Sequence, residues 1–242
     1  MRQFELVIPA YNESKSLSEL VSRMAAGAIE ANLDENKFQL VIVENGSTDD
    51  SANVLLNLSQ SNLGKWFRVV TIPVNQGYGY GLKSGLDSTN AKVVAWTHAD
   101  LQCDPADVFR GYSLLINSNA QNVLVKGVRI GRNWKDQFVS RVFELFAFVI
   151  LGIRVFEMNA QPKIMQRDLL HKFTNPPKTF AFDLYALYQA HKNNYKIESF
   201  PVQFPPRLHG TSKWAATFFS RYKTILGMIK YMFKLSSAEG RL

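Results

Sequence analysis

Apolar runs and polar turns alternate along the first half of the chain. Phe4 to Ile8 reads as a strand stopped by Pro9, and Ser16-Leu-Ser-Glu19 has capping-box spacing ahead of Leu17, Leu20, Val21, Met24, Ala28 and Ile29 at helical intervals. The unit repeats. Phe38 to Val43 forms a second apolar strand, the turn Glu44-Asn-Gly-Ser-Thr-Asp-Asp50 follows, and Val54, Leu55 and Leu58 begin a second helix. Phe67 to Ile72 makes a third strand, Asn75 to Gly81 a glycine-rich turn and Leu82 to Leu86 a short helical segment. Val93 to Trp96 opens a fourth strand that stops abruptly in His98, Asp100, Gln102 and Asp104, with a helix expected from about Pro105. Strands alternating with helices at this spacing predict parallel βαβ connections and helices on both faces of one sheet.

The second half is less regular. Val123 to Val128 reads as a strand leading into the basic positions Lys126, Arg129, Arg132 and Lys135, and Phe138 to Ile153 as a helix with an unusually wide apolar face. Asn159-Ala-Gln-Pro-Lys163 breaks the pattern before Ile164 and Met165; Phe182 to Tyr188 is predicted helical and Tyr195 to Phe204 extended. After the loop Pro205 to Lys213, a last helix carries Phe218, Tyr222, Ile225, Ile229 and Met232 along one stripe, with basic residues mostly around it. The expected organisation is an α/β domain over 1–213 with a C-terminal amphipathic helix and tail over 214–242.

Charge narrows the partners. The 242 residues carry a formal charge of +8, which suits an anion: a nucleotide diphosphate, an anionic membrane surface or nucleic acid. Nucleic acid is set aside, because the cations form no dense run and aromatic residues are not interleaved with them. Cys103 is the sole cysteine, which excludes an intramolecular disulfide framework and favours a reducing compartment. No charged leader precedes the first strand, and the longest apolar run, Leu145 to Ile153, is too short to cross a bilayer of roughly 20 residues' span, although it could lie against one.

Each of the first four strands ends in polar or flexible residues: Tyr11-Asn-Glu13, Glu44-Asn-Gly46, Asn75-Gln-Gly77 and His98 to Asp104. In a parallel sheet these tips share one edge, where ligands bind. Asp100 and Gln102, two apart, would offer oxygen atoms to one cation if the chain stays extended. The alternative, that Asp100 or Asp104 caps the following helix, stands equally on spacing alone. Glycines at 77, 79 and 81 do not match a dinucleotide fingerprint and predict only a close backbone approach.

Taken in order, Pro9-Ala-Tyr-Asn-Glu13, Glu44-Asn-Gly-Ser-Thr-Asp49, Asn75-x-Gly77 with Gly81 and Gly85, and Ala99-Asp-Leu-Gln102 resemble the successive signatures of family 2 glycosyltransferases. Within it, Gly127-Val-Arg129 and the Arg207-x-His-Gly-x-Ser-Lys213 loop resemble the dolichyl-phosphate mannose synthase and polyprenyl-phosphate sugar transferase group. The resemblance implies a GT-A, Rossmann-like fold, a UDP- or GDP-linked sugar as donor and a divalent cation, Mn²⁺ or Mg²⁺. It assigns Pro9, Tyr11, Glu13, Glu44, Asn45, Gly77, Lys83, His98, Ala99 and Asp100 to the nucleotide sugar, and Asp100, Gln102 and His98 to the metal. Arg129, Arg132, Gln161, Arg207, His209, Ser212 and Lys213 would meet donor or acceptor phosphates.

Departures from the family pattern are informative. His98 replaces the first aspartate of the family's D-x-D, Glu44-Asn45 replaces paired aspartates, and Glu157 with Ala160-Gln-Pro162 stands where the polyprenyl branch shows an aspartate and a Ser-Gly-Phe-like turn. The expected reaction is inverting transfer to a polyprenyl phosphate at the membrane surface, by a protein peripheral on its cytoplasmic face; whether it is a homo-oligomer stays open. A lipid phosphate oriented by Arg129 needs no strong base, whereas a saccharide hydroxyl, the alternative acceptor, would need one, and Asp183 is the candidate. A third expectation is a sugar-nucleotide binding protein without catalysis, suggested by His98.

Overall fold

A computed structural model describes residues 1–205 and 218–242, with side chains described for all of these except Lys135 and 218–223. Seven strands form one sheet in the order β3-β2-β1-β4-β6-β5-β7. They are β1 (Phe4–Ala10), β2 (Phe38–Asn45), β3 (Phe67–Ile72), β4 (Val93–Trp96), β5 (Val123–Ile130), β6 (Lys163–Gln166) and β7 (Lys196–Gln203). All neighbours pair in parallel except β6, which runs antiparallel between β4 and β5. Because β6 reverses direction twice over, β5 and β7 point the same way as β1 to β4. The carboxyl ends of six strands therefore share one edge.

Helices α1 (Ser14–Glu30), α2 (Ser51–Ser59), α3 (Tyr78–Asp87), α4 (Asp107–Ile116), α5 (Trp134–Leu151), α6 (Arg167–Leu170), α7 (Phe182–Lys192) and α8 (Phe218–Glu239), with a 3-10 turn at Gly64–Trp66, complete the described elements. Strand alternation feeds two cores, as the period of two requires. Phe4, Leu6 and Ile8 of β1 pack with Leu17, Leu20 and Met24 of α1 and Val108 of α4 on one face. Val7 faces the other, with Leu82 of α3, Ala147 and Leu151 of α5, Leu184 and Tyr188 of α7, and Met228, Met232 and Leu235 of α8. The expected mostly parallel sheet with helices on both faces is present.

Local differences from the sequence expectation have physical reasons. Pro9 does not stop β1, which runs on to Ala10 opposite Glu44. Val7 turns its carbonyl toward β4, accepting from Thr97, and Pro9 shares that parity; its missing N–H thus falls where β4 has already ended. The capping box at Ser16 is not formed. Helix α1 starts at Ser14, and the Ser16 hydroxyl donates instead to the Glu13 carbonyl and carboxylate. Helix α5 begins four residues before Phe138 because Asn133 caps it, its side chain accepting from Asp136 N–H, and it stops at Gly152 in the left-handed region. Of the apolar stripe of α8, Met232 is fully buried and Ile225 and Ile229 pack beside it, while the side chains of Phe218 and Tyr222 lie outside the described ones.

Candidate active site

The tips of β1 and β2 are tied together by short side chains and main-chain N–H groups. Asn12 N–H donates to Ser47 Oγ (3.0 Å), Thr48 N–H to Asn12 Oδ1 (2.8 Å), Glu13 N–H to Ser51 Oγ (3.1 Å) and Ser14 N–H to Asp49 Oδ2 (3.1 Å). Burial disfavours the charge on Asp49, but hydrogen bonds from Ser51 and Ser14 outweigh it and hold the carboxyl below its usual range. Glu44, buried, accepts from Ser47 N–H (2.6 Å) and closes the turn. Asn45 donates to the Gly77 carbonyl (3.1 Å) and joins the β3 tip to this cluster. Glu44 and Asn45 are thus the last residues of β2 rather than its turn.

The glycine-rich stretch is mostly helix. Gly79 and Gly81 lie in the first turns of α3, and the close approach expected there comes from the chain's own backbone. A Cβ on Gly79 would stand 2.2 Å from the Pro177 carbonyl and 2.6 Å from that of Thr179, and Tyr80 N–H donates to the Lys178 carbonyl. Lys83 is turned to its own helix, paired with Asp87.

At the end of β4 the chain does not stay extended. Leu101 has φ 54, and Asp100 Oδ1 accepts from Gln102 N–H (3.1 Å), a side-chain turn that fixes the carboxylate angle. The Gln102 amide donates to the Pro205 carbonyl (3.3 Å), so the parallel arrangement expected for Asp100 and Gln102 is absent. Asp104 is the residue that supports α4, accepting from Ala106 N–H (3.0 Å). His98 and Tyr78 meet edge to face, ring centres 5.5 Å apart. Ala99 is buried, and Cys103, its thiol pushed up to about 12 by burial and by Asp100, is no nucleophile at neutral pH.

Beyond β4 the site is made of buried charge. Asp183, 2% exposed at the start of α7, accepts at Oδ1 from Lys163 Nζ (2.7 Å), Trp96 Nε1 (2.9 Å) and Gln161 Nε2 (3.0 Å), and at Oδ2 from the Tyr78 hydroxyl (3.4 Å). Burial opposes its charge, yet the Lys163 ammonium prevails and the carboxyl lies below its usual range. Lys126, opposite Lys163 across β5 and β6, donates to the Phe156 (2.8 Å) and Gly127 (2.9 Å) carbonyls, and burial with the Lys163 charge draws it down to about 7. At the end of β5, the buried Glu157 carboxylate binds both Arg129 Nε and Arg132 Nη1, while both guanidiniums lie over the Phe204 ring. Arg132 Nε has no hydrogen-bond partner among the described residues. Lys126, Arg129 and Arg132 are therefore enclosed rather than solvated, and the Lys135 side chain lies outside the described ones.

The structure brings Tyr11, Glu13, Glu44, Asn45, Gly77, His98 and Asp100 to one edge, carries Arg129 there on β5 and sets Arg132 just past the end of that strand. Asp100 and Arg129 both act on the Cys103 thiol, which links the two sides. Gln161 is an inner brace of Asp183 rather than a surface contact. Arg207, His209, Ser212 and Lys213 lie outside the described residues. Sequence reasoning passed over Tyr78, Trp96 and Lys163; the available signal was a charge inside otherwise apolar elements, Lys163 before Ile164-Met165 and Asp183 within Phe182 to Tyr188.

Comparison with known proteins agrees with this architecture. Among curated relatives, an undecaprenyl-phosphate 4-deoxy-4-formamido-L-arabinose transferase of Pseudomonas savastanoi is 32% identical over 146 residues, which is 56% of this chain and 40% of the relative. A dodecaprenyl-phosphate galacturonate synthase of Rhizobium johnstonii is 24% identical over 237 residues, 96% of this chain and 67% of that protein. The chain thus spans less than half of the first relative's length and two thirds of the second's. A crystal structure of glucosyl-3-phosphoglycerate synthase from Mycobacterium tuberculosis with Mn²⁺, UDP and glucosyl-3-phosphoglycerate matches 100% of this chain and 81% of its own at TM-score 0.70 and 18% identity, so the expected GT-A fold is the fold found. The model of the family described as "Glycosyl transferase family 2" matches residues 5–195, and the chain belongs to that family.

Proposed function

We propose that the chain catalyses inverting transfer of a sugar from a nucleoside diphosphate sugar, UDP- or GDP-linked, to a polyprenyl phosphate. The carrying observation is the pairing of Arg129 and Arg132 at the end of β5, one strand edge shared with Asp100. Two guanidiniums that share one carboxylate keep a net positive charge, and Arg132 Nε adds a buried donor with no hydrogen-bond partner among the described residues. That is a cradle for phosphate. The names of the polyprenyl-phosphate relatives support the same acceptor class.

A phosphate monoester, with its second pKa of about 6, is already anionic near neutral pH and attacks without a base. Asp183 argues for such an acceptor. Held ionised by Lys163 and enclosed by three further donors, it is a weak proton acceptor and serves to anchor Trp96, Tyr78 and Gln161 around the site. Displacement from the side opposite the nucleotide inverts the anomeric centre, with Arg129 and Arg132 orienting the acceptor oxygen.

The donor set fits a divalent cation completed by substrate. Among the described residues no three His, Cys, Asp or Glu side chains gather into a metal group, so those residues offer few ligands of their own. Hard cations at phosphate sites commonly take one or two carboxylates and draw the rest from the diphosphate and water. Asp100 at the β4 tip would hold it, and the ion would stabilise charge on the departing diphosphate.

The experiment is incubation with radiolabelled nucleotide sugars and polyprenyl phosphate, followed by organic extraction. Label is expected in the organic phase and lost in Asp100→Ala. Label that stays aqueous, or passes to a water-soluble saccharide, overturns the reading, and donor binding without turnover would make the chain a binding protein.

A further inference from the structure

Helix α5 is apolar on two sides, and one of them faces outward. Phe143, Ala147, Ile150 and Leu151 enter the core. On the outer side, Trp134 is 72% exposed, Phe138 65%, Leu145 61% and Val149 56%, with Phe148 at 40%. Positions 134, 138, 141, 145 and 148/149 follow the helical period and make one stripe about 22 Å long. A contiguous exposed apolar patch of this kind marks a docking surface.

The polar residues of the stripe select the partner. Arg141 lies within it, its guanidinium 4.4 Å from the centre of the Phe156 ring, and Arg154, just past the helix, stands 5.3 Å from that of Phe148. Of the two carboxylates of α5, Glu144 is turned toward the Glu157 N–H and Arg141, and Asp136 is held at the start of the helix by Asn133. The result is large apolar side chains with exposed cations among them. Such a face suits anionic lipid, where aromatic residues enter the interface and guanidiniums reach headgroup phosphates. No described helix is long and apolar enough to cross a membrane, so the contact is with its surface.

We propose that the outer face of α5 rests in the headgroup region of an anionic bilayer. The same helix begins beside the acceptor cradle: Arg132 donates to the Asp136 carbonyl (3.0 Å) and to Ser140 Oγ (2.8 Å) in its first turns. Docking on the stripe brings Arg129 and Arg132 to the level of lipid phosphates, a consequence that rests on the function proposed above.

The test is flotation of the full chain with vesicles of phosphatidylcholine, with or without phosphatidylglycerol. The expected result is flotation with anionic vesicles and an about tenfold or greater loss of bound fraction in Leu145→Glu/Val149→Glu. Leu56→Glu, at an equally exposed apolar position on α2, is the control and keeps its flotation. Unchanged circular-dichroism melting confirms that the double variant is folded. A chain that stays with the aqueous fraction overturns the proposal, as does flotation indifferent to the double variant, or a dimer in sedimentation equilibrium that the double variant dissolves without any flotation. Transfer to detergent-dispersed acceptor separates the two readings: retained transfer without flotation sinks the docking face alone, and flotation without transfer sinks the function alone.

Discussion

The two sides of the sheet edge proposed as the active site, a proposed nucleotide side and a proposed acceptor side, are built by opposite means. On the nucleotide side, the tips of β1, β2 and β3 are held by many single hydrogen bonds among Asn12, Ser47, Thr48, Asp49, Ser51 and Gly77, most of them near solvent. On the acceptor side, a few ionised groups, Lys163 with Asp183 and Glu157 with Arg129 and Arg132, are buried and hold one another. Water can replace a lost partner on the first side and cannot on the second. Damage should therefore be graded on the nucleotide side and abrupt on the acceptor side.

The largest contrast comes from Asp183→Ala. It strands the Lys163 ammonium in the core and removes the acceptor of Trp96 Nε1 and Gln161 Nε2, so the expected loss is about 3–5 kcal/mol, read from the urea midpoint. Adding Lys163→Met should restore part of it, because the uncompensated charge goes with the lysine. A single-variant loss below about 1 kcal/mol would break the comparison, since it would mean that water reaches the pair.

The same difference explains what was legible beforehand. Strands β1 to β4 announce themselves as apolar runs between turn residues, because a parallel strand covered on both faces needs nothing else. The acceptor side depends on charges that pattern reading sends to the surface: Lys126 in Val123-Leu-Val-Lys126 looks like the start of a basic face, yet it is 2% exposed. Strand β6 has four residues, two of them Lys163 and Gln166, too few to show a period. Nor could spacing show that Leu101 would turn left-handed and separate Gln102 from Asp100, since that follows from the Asp100 side chain capturing the Gln102 N–H.

Gly79→Ala probes the seam between the two sides, where the Pro177 to Thr179 backbone covers the start of α3. With backbone carbonyls 2.2 and 2.6 Å from the added carbon, helix or covering segment must move, at an expected cost of about 3 kcal/mol in thermal or urea unfolding. A neutral outcome would show that the covering segment yields freely, and the seam would then not couple the sides.

Lys126 separates them by pH. Folded, it titrates near 7, against an ordinary 10.5. Between these values the unfolded chain holds a proton that the folded chain has released, so stability rises with pH above 7 and the contribution is lost as pH falls to 7. Relative to Lys126→Met, the natural chain should gain about 2 kcal/mol between pH 7 and 9 in parallel urea titrations. Parallel profiles for the two proteins would refute the buried-amine reading.

Asp49→Ala gives the smallest effect and the sharpest test of graded behaviour. Its carboxylate takes N–H groups from Ser14 and Ser51 and so ties the start of α1 to the start of α2, but it does so at the surface. An expected loss of about 1 kcal/mol is that of one helix-end bond partly replaced by water. Because its folded pKa lies below the ordinary 3.8, the contribution is complete above that value and disappears as pH falls through the lower folded one. Natural chain and variant should therefore converge in stability as acid is added. A gap that persists in strong acid would assign the effect to lost packing, and a loss as large as that of Asp183→Ala would erase the distinction between the two sides.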